Sequence, residues 1–150
     1  MAELVPSFKH LATDEQDSIR VICVESLVPI VRNLVKEDVQ RLSLPILLSL
    51  FEDKSWKVRL TIAKNFSELA NAFGKDITDA NLVARFAVLL KDVEADVRTA
   101  AVINLKTCVK SISAEKIQAI LLPSMVALTQ DTTFSVRGTM RLAQPDSGTC

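Results

Sequence analysis

Glu52-Asp-Lys-Ser-Trp-Lys-Val-Arg59 decides the reading of this chain, because its Asp53, Val58 and Arg59 recur at a fixed interval on both sides. A step of 39 residues back from Asp53 reaches Asp14, and two steps forward reach Asp92 and Asp131. Arg20, Arg59, Arg98 and Arg137 keep the same interval, each preceded by a β-branched apolar residue: Ile19, Val58, Val97 or Val136. Self-similarity at a period of this length marks a repeat architecture and takes precedence over any single-element reading.

The register extends upstream of each aspartate. Pro6, Pro45 and Pro123 hold one column, with Ala84 in place of proline in the third unit. Three apolar columns accompany it: Val5, Leu44, Val83 and Leu122; Phe8, Leu47, Phe86 and Met125; Leu11, Leu50, Leu89 and Leu128. Their i, i+3, i+6 spacing is that of one helical face, which defines a helix A in each unit. The proline is expected to begin or kink that helix, since it fits a first turn and removes a donor from an interior one.

Downstream of each arginine a second helical set appears. Leu27, Phe66 and Leu105 lead it, followed by Ile30, Leu69 and Cys108, then by Leu34, Phe73 and Ile112. Steps of three and four predict a helix B that starts just after the aspartate and runs about 16 residues. Gly74 is placed to close the second of these helices in a left-handed conformation.

Helix pairs repeated in this way predict an all-α fold, an α-solenoid of HEAT type with three repeats and a truncated fourth. The units fall at about 1–35, 39–74, 78–112 and 114–137, followed by an irregular tail at 138–150 in which two glycines and a proline interrupt the pattern. A two-helix unit cannot bury its apolar face alone, so stacking must supply the core. Without a polar capping helix at either end, the chain is expected to be a fragment, a truncated product or a short variant of something longer.

Composition narrows the function classes. Hydrophobic residues make up 49% and charged residues 24% of 150, with eighteen basic residues balancing eighteen acidic ones. Zero net charge gives no general attraction to nucleic acid or to an anionic membrane. The longest apolar stretch, Leu42 to Phe51, is too short to span a bilayer, and no basic-then-apolar leader opens the chain. The expectation is a soluble intracellular protein, cytoplasmic and allowed in the nucleus. Cys23, Cys108 and Cys150 match neither a disulfide framework nor a zinc site, and the first two read as small core residues.

Chemistry finds little to stand on. His10 is the sole histidine, which removes a histidine metal pair, and Gly74, Gly138 and Gly148 are too isolated to form a phosphate loop. No metal, no cofactor and no enzymatic activity are expected. The paired columns Asp14/Arg20, Asp53/Arg59, Asp92/Arg98 and Asp131/Arg137 read as a structural ladder, each arginine reaching an aspartate in its own or the next unit. Trp56 is the one tryptophan and stands at a loop-to-helix junction, where it serves as a binding anchor or packs between units. Lys54 and Lys57 beside it attract an acidic partner or are simply solvated.

Asp14-Glu-Gln-Asp-Ser-Ile-Arg20, Glu52-Asp-Lys-Ser-Trp-Lys-Val-Arg59 and Glu94-Ala-Asp-Val-Arg98, in that order, resemble the scaffold (A) subunit family of protein phosphatase 2A. The likeness runs from about Leu11 to Arg137. It implies a scaffold whose loops between helices A and B dock a regulatory (B-type) subunit, which positions a serine/threonine phosphatase. The implied contact residues are Glu15, Gln16 and Asp17, then Lys54, Ser55 and Trp56, then Glu94 and Ala95. The family holds its catalytic subunit on later repeats, so that partner is expected only if further repeats are present.

Two other readings compete. Tubulin-binding HEAT arrays also place a tryptophan and a basic residue in an intra-repeat loop, as Trp56 and Lys57 do. A HEAT-fold enzyme, such as a DNA glycosylase or an iron-dependent hydroxylase, is opposed by the neutral charge in the first case and the single histidine in the second.

Overall fold

The structure is a computed structural model and describes residues 9–129. A short helical stretch over residues 9–12 leads into α1, Asp17–Arg32. Helix α2 is continuous through Lys36–Asp38, a π turn at Val39–Ser43 and Leu44–Phe51. Helix α3 is Trp56–Phe73. Helix α4 repeats the composite form through Lys75–Ile77, Thr78–Leu82 and Val83–Leu89. Helix α5, Ala95–Cys108, ends in a 3-10 turn at Val109–Ser111. Helix α6 is again composite: Ala114–Lys116, Ile117–Leu121 and Leu122–Leu128. No strand occurs among the described residues.

Helices α1, α3 and α5 are the predicted helices B, and they stack in order, α1 on α3 and α3 on α5. Helices α2, α4 and α6 form the second layer, with α4 touching both of its neighbours there. The core lies between the layers. Leu27, Phe66 and Leu105 from one layer and Leu47, Phe86 and Leu50 from the other are almost wholly buried. Phe86 stacks on Phe66 with ring centroids 4.1 Å apart, and Phe51 meets Phe66 edge-on at 6.2 Å, so one aromatic run joins α2, α3 and α4. Interior units are covered on both sides. The outer members of the apolar columns are not, and Leu11 and Leu122 are 40% and 43% exposed.

Helix A differs from its sequence-based outline. The apolar spacing predicts a helix beginning near the proline, whereas α2 starts at Lys36, α4 at Lys75 and α6 at Ala114. Each carries a π turn at the same register, in which Leu44, Val83 and Leu122 donate their N–H to Val39, Thr78 and Ile117 five residues back. The extra residue shifts the helical phase, so Ile77 and Leu82 are both buried although five apart. Pro45 and Pro123 follow directly after the wide turn at the first positions of regular α-helix. Proline is not its cause, because α4 has the turn with Ala84 at that position.

Gly74 closes α3 as expected, with φ 90° and ψ 159°. That is positive φ with an extended ψ, a region essentially reserved for glycine, and not the left-handed helical cap anticipated. Gly74 also opens α4, so one residue links the two helices. Cys23 and Cys108 are fully buried, and burial pushes both thiols up to about 12. His10 is exposed within the first helical stretch. The columns at Val5, Pro6 and Phe8, the ladder positions Asp131 and Arg137, and the tail 138–150 lie outside the described residues.

Candidate functional site: the ridge of intra-repeat loops

Each loop between the layers is built by its aspartate. Asp14, Asp53 and Asp92 accept through Oδ1 from the backbone N–H of Gln16, Ser55 and Glu94 at 2.9, 2.9 and 3.0 Å. Gln16, Ser55 and Glu94 are the extended N-cap residues of α1, α3 and α5, so the carboxylate turns the chain into its next helix.

The arginines bind these loops together. Arg20 donates through Nε and Nη2 to the Asp53 carboxylate at 2.7 and 3.0 Å, and through Nη1 to the Asp14 carbonyl at 2.5 Å. Arg59 does the same one unit on, with Asp92 at 2.7 and 3.1 Å and the Asp53 carbonyl at 2.7 Å. Arg98 donates to the Asp92 carbonyl at 2.6 Å. Arg20 and Arg59 therefore each take a carboxylate from the next unit and a carbonyl from their own. The fork-to-fork geometry suits guanidinium and carboxylate, and both pairs are nearly dry, with side-chain exposures of 7% and 9% for Arg20–Asp53 and 15% and 6% for Arg59–Asp92. The bonded carboxylates hold Arg20 and Arg59 above the ordinary guanidinium pKa against the opposing effect of burial, so the ladder stays charged.

A further tie crosses the first junction, where Ser55 Oγ donates to Asp17 Oδ2 at 2.9 Å. That hydroxyl is the main cause holding the Asp17 carboxyl below its usual value. The equivalent pair one unit on is Trp56 with Glu94, which cannot repeat it.

Of the residues implied as partner contacts, Glu15, Gln16, Lys54, Trp56 and Glu94 are exposed along the loops. Asp17 and Ser55 are half-buried and occupied with each other. Ala95 packs partly against the core and offers little surface. Trp56, at 37% exposure, opens α3 with part of its side chain accessible. The contact set carried over from the resemblance omits Val93, 88% exposed in the third loop, and Asp96 and Lys57, both exposed at the starts of α5 and α3. Their signal was available in the columns: Val93 aligns with Glu15 and Lys54, and Asp96 with Lys57. No group of three or more His, Cys, Asp or Glu placed to hold a metal occurs among the described residues, and no helix among them is long and apolar enough to cross a membrane.

Paired helices in two layers, joined by aspartate-built loops and arginine cross-ties at one register, define a HEAT-repeat solenoid. Residues 44–73 match the HEAT repeat family, and residues 75–144 match the PPP2R1A-like HEAT repeat. The chain is thus similar to HEAT-repeat proteins of the protein phosphatase 2A A-subunit type. The chain is also similar to the A-type regulatory subunit of protein phosphatase PP2A from Schizosaccharomyces pombe, 32% identical over 76 residues. That similarity covers 50% of this chain and 13% of the yeast protein.

Proposed function

We propose that this chain is a non-catalytic scaffold, cytoplasmic in location, whose loop ridge docks a regulatory subunit of B type and so helps to position a serine/threonine phosphatase. The observation that carries the reading is the alignment of Glu15, Gln16, Lys54, Trp56 and Glu94 on loops cross-tied by Arg20 and Arg59, in a chain similar to a phosphatase regulatory subunit. Positioning, not bond chemistry, is the mechanism: a rigid edge costs little entropy on binding and presents its anchors already ordered. The catalytic subunit joins only where further repeats are present.

Immobilised full chain should retain purified B-type regulatory subunit, and Trp56→Ala should weaken that retention at least about tenfold, as loss of a tryptophan anchor does. A chain that retains no regulatory subunit, under conditions where a full-length scaffold subunit does, rules the reading out. A second reading, tubulin binding, is favoured by the joint exposure of Trp56 and Lys57. Co-sedimentation with tubulin that is lost in Trp56→Ala, without phosphatase-subunit binding, would select it.

A further inference from the structure

We infer that an alternation of charge along the ridge sets the register in which a folded partner docks. The inference rests on the scaffold reading above and adds the chemistry of the partner's surface. That surface carries a basic, an acidic and a basic patch in succession, with apolar contacts opposite Trp56 and Val93.

Repetition creates the difficulty that the alternation resolves. The ladder is the same at both described junctions and is inward-looking, its Asp53 and Asp92 carboxylates neutralised by Arg20 and Arg59. Nothing in it distinguishes one unit from the next. The remaining loop charges do. The first loop presents Glu15, the neighbouring Asp17 being half-buried and bonded to Ser55. The second presents Lys54 and Lys57, the nearby Glu52 being paired with Arg85 of the following unit. The third presents Glu94 and Asp96, with Lys91 at its start. Aligned columns thus change character between adjacent units: Glu15, Lys54 and Val93 in one, Ser18, Lys57 and Asp96 in another.

Screening keeps these patches separate. Packed helices lie about 8–10 Å apart, so neighbouring loops are spaced by roughly one Debye length, which is about 8 Å at physiological salt. A partner therefore meets three local potentials and not their near-zero mean. Displaced by one unit, it would set basic against basic and acidic against acidic, and such juxtapositions suppress wrong docking and slow encounter.

The test uses the full chain and purified B-type regulatory subunit, with association and dissociation rates measured at low and high salt. Lys54→Glu/Lys57→Glu, which makes the ridge acidic throughout, should lose about tenfold or more in affinity at low salt, mostly in the association rate, and the loss should shrink at high salt. Lys54→Gln/Lys57→Gln should fall between. Lys64→Glu, exposed on the same helix but away from the loop, should bind within about twofold of the parent. Charge-reversed ridge binding like the parent overturns the inference and leaves the scaffold reading intact, and so does a loss of about threefold or more in Lys64→Glu, the share its half-sized charge change would give if only net charge mattered. Parent chain that binds no regulatory subunit overturns both.

Discussion

Arg59 touches two repeats at once, taking the Asp92 carboxylate from one and the Asp53 carbonyl from the other. Removing it leaves Asp92, whose side chain is 6% exposed, as a buried charge without its cation. Arg59→Met should therefore cost about 3–5 kcal/mol in urea unfolding, while Arg59→Met/Asp92→Asn, which removes the stranded charge and keeps an Oδ1 acceptor for the Glu94 N–H, should recover part of that. A double variant no more stable than the single one would show that the stranded charge is not what the single variant costs. The exposed pair Lys36–Asp76, with side chains 66% and 87% accessible, should change stability by less than about 1 kcal/mol when either partner becomes alanine. At this scale the sequence was informative. Identical residues at a constant interval pick out the ladder positions, although spacing alone leaves open whether each carboxylate comes from the same unit or the next. Only the geometry assigns the carboxylate to one and the carbonyl to the other.

Helix length was less legible, and the π turn explains why. Sequence periodicity assumes a constant angular step, and the widened turns at Val39–Ser43, Thr78–Leu82 and Ile117–Leu121 break it once per helix. Residues at or before the break, such as Val39 and Ile77, are buried but out of phase with Leu44 and Val83, so the column search stops at the break. The loop contacts were only partly legible for another reason. Ala95 and Ser55 fall on the ridge by position, yet the start of a helix turns one toward the core and the other toward Asp17. The common register of the π turns carries its own prediction. Because Pro45 and Pro123 sit at the column that Ala84 fills, the backbone of α4 should already accept proline there. Ala84→Pro should cost less than about 1 kcal/mol, whereas Lys64→Pro, in the unbroken middle of α3, should cost about 3 kcal/mol or more. Thermal melts of the two variants, at positions both exposed in the parent, would check this, and an equal loss would refute it.

Across the whole molecule, stability is a sum of units and junctions, and the units are not equivalent. Helix α3 packs against α1 on one side and α5 on the other, and its Phe66 sits in the aromatic run with Phe51 and Phe86. Helices at the ends of the described array have a neighbour on one side only. In a quasi-one-dimensional array, opening proceeds from the ends inward. Amide exchange should therefore be slowest in Trp56–Phe73 and faster in Asp17–Arg32 and Ala95–Cys108. Uniform protection over all three would instead mean a single cooperative block. The same arithmetic predicts that Phe66→Ala, which costs about 3–5 kcal/mol at a fully buried aromatic, should lower protection in both neighbouring helices.

Gly74 has a consequence of another kind. Asn33–Val35 separates α1 from α2 and Val109–Ser113 separates α5 from α6, but α3 gives way to α4 across one residue. A protease needs a run of chain that can be drawn out into its cleft, and the longer turns have slack to offer. The joint at residue 74 has none. Of the three links between units, limited digestion should cut those at 33–35 and 109–113 and spare the one at Gly74.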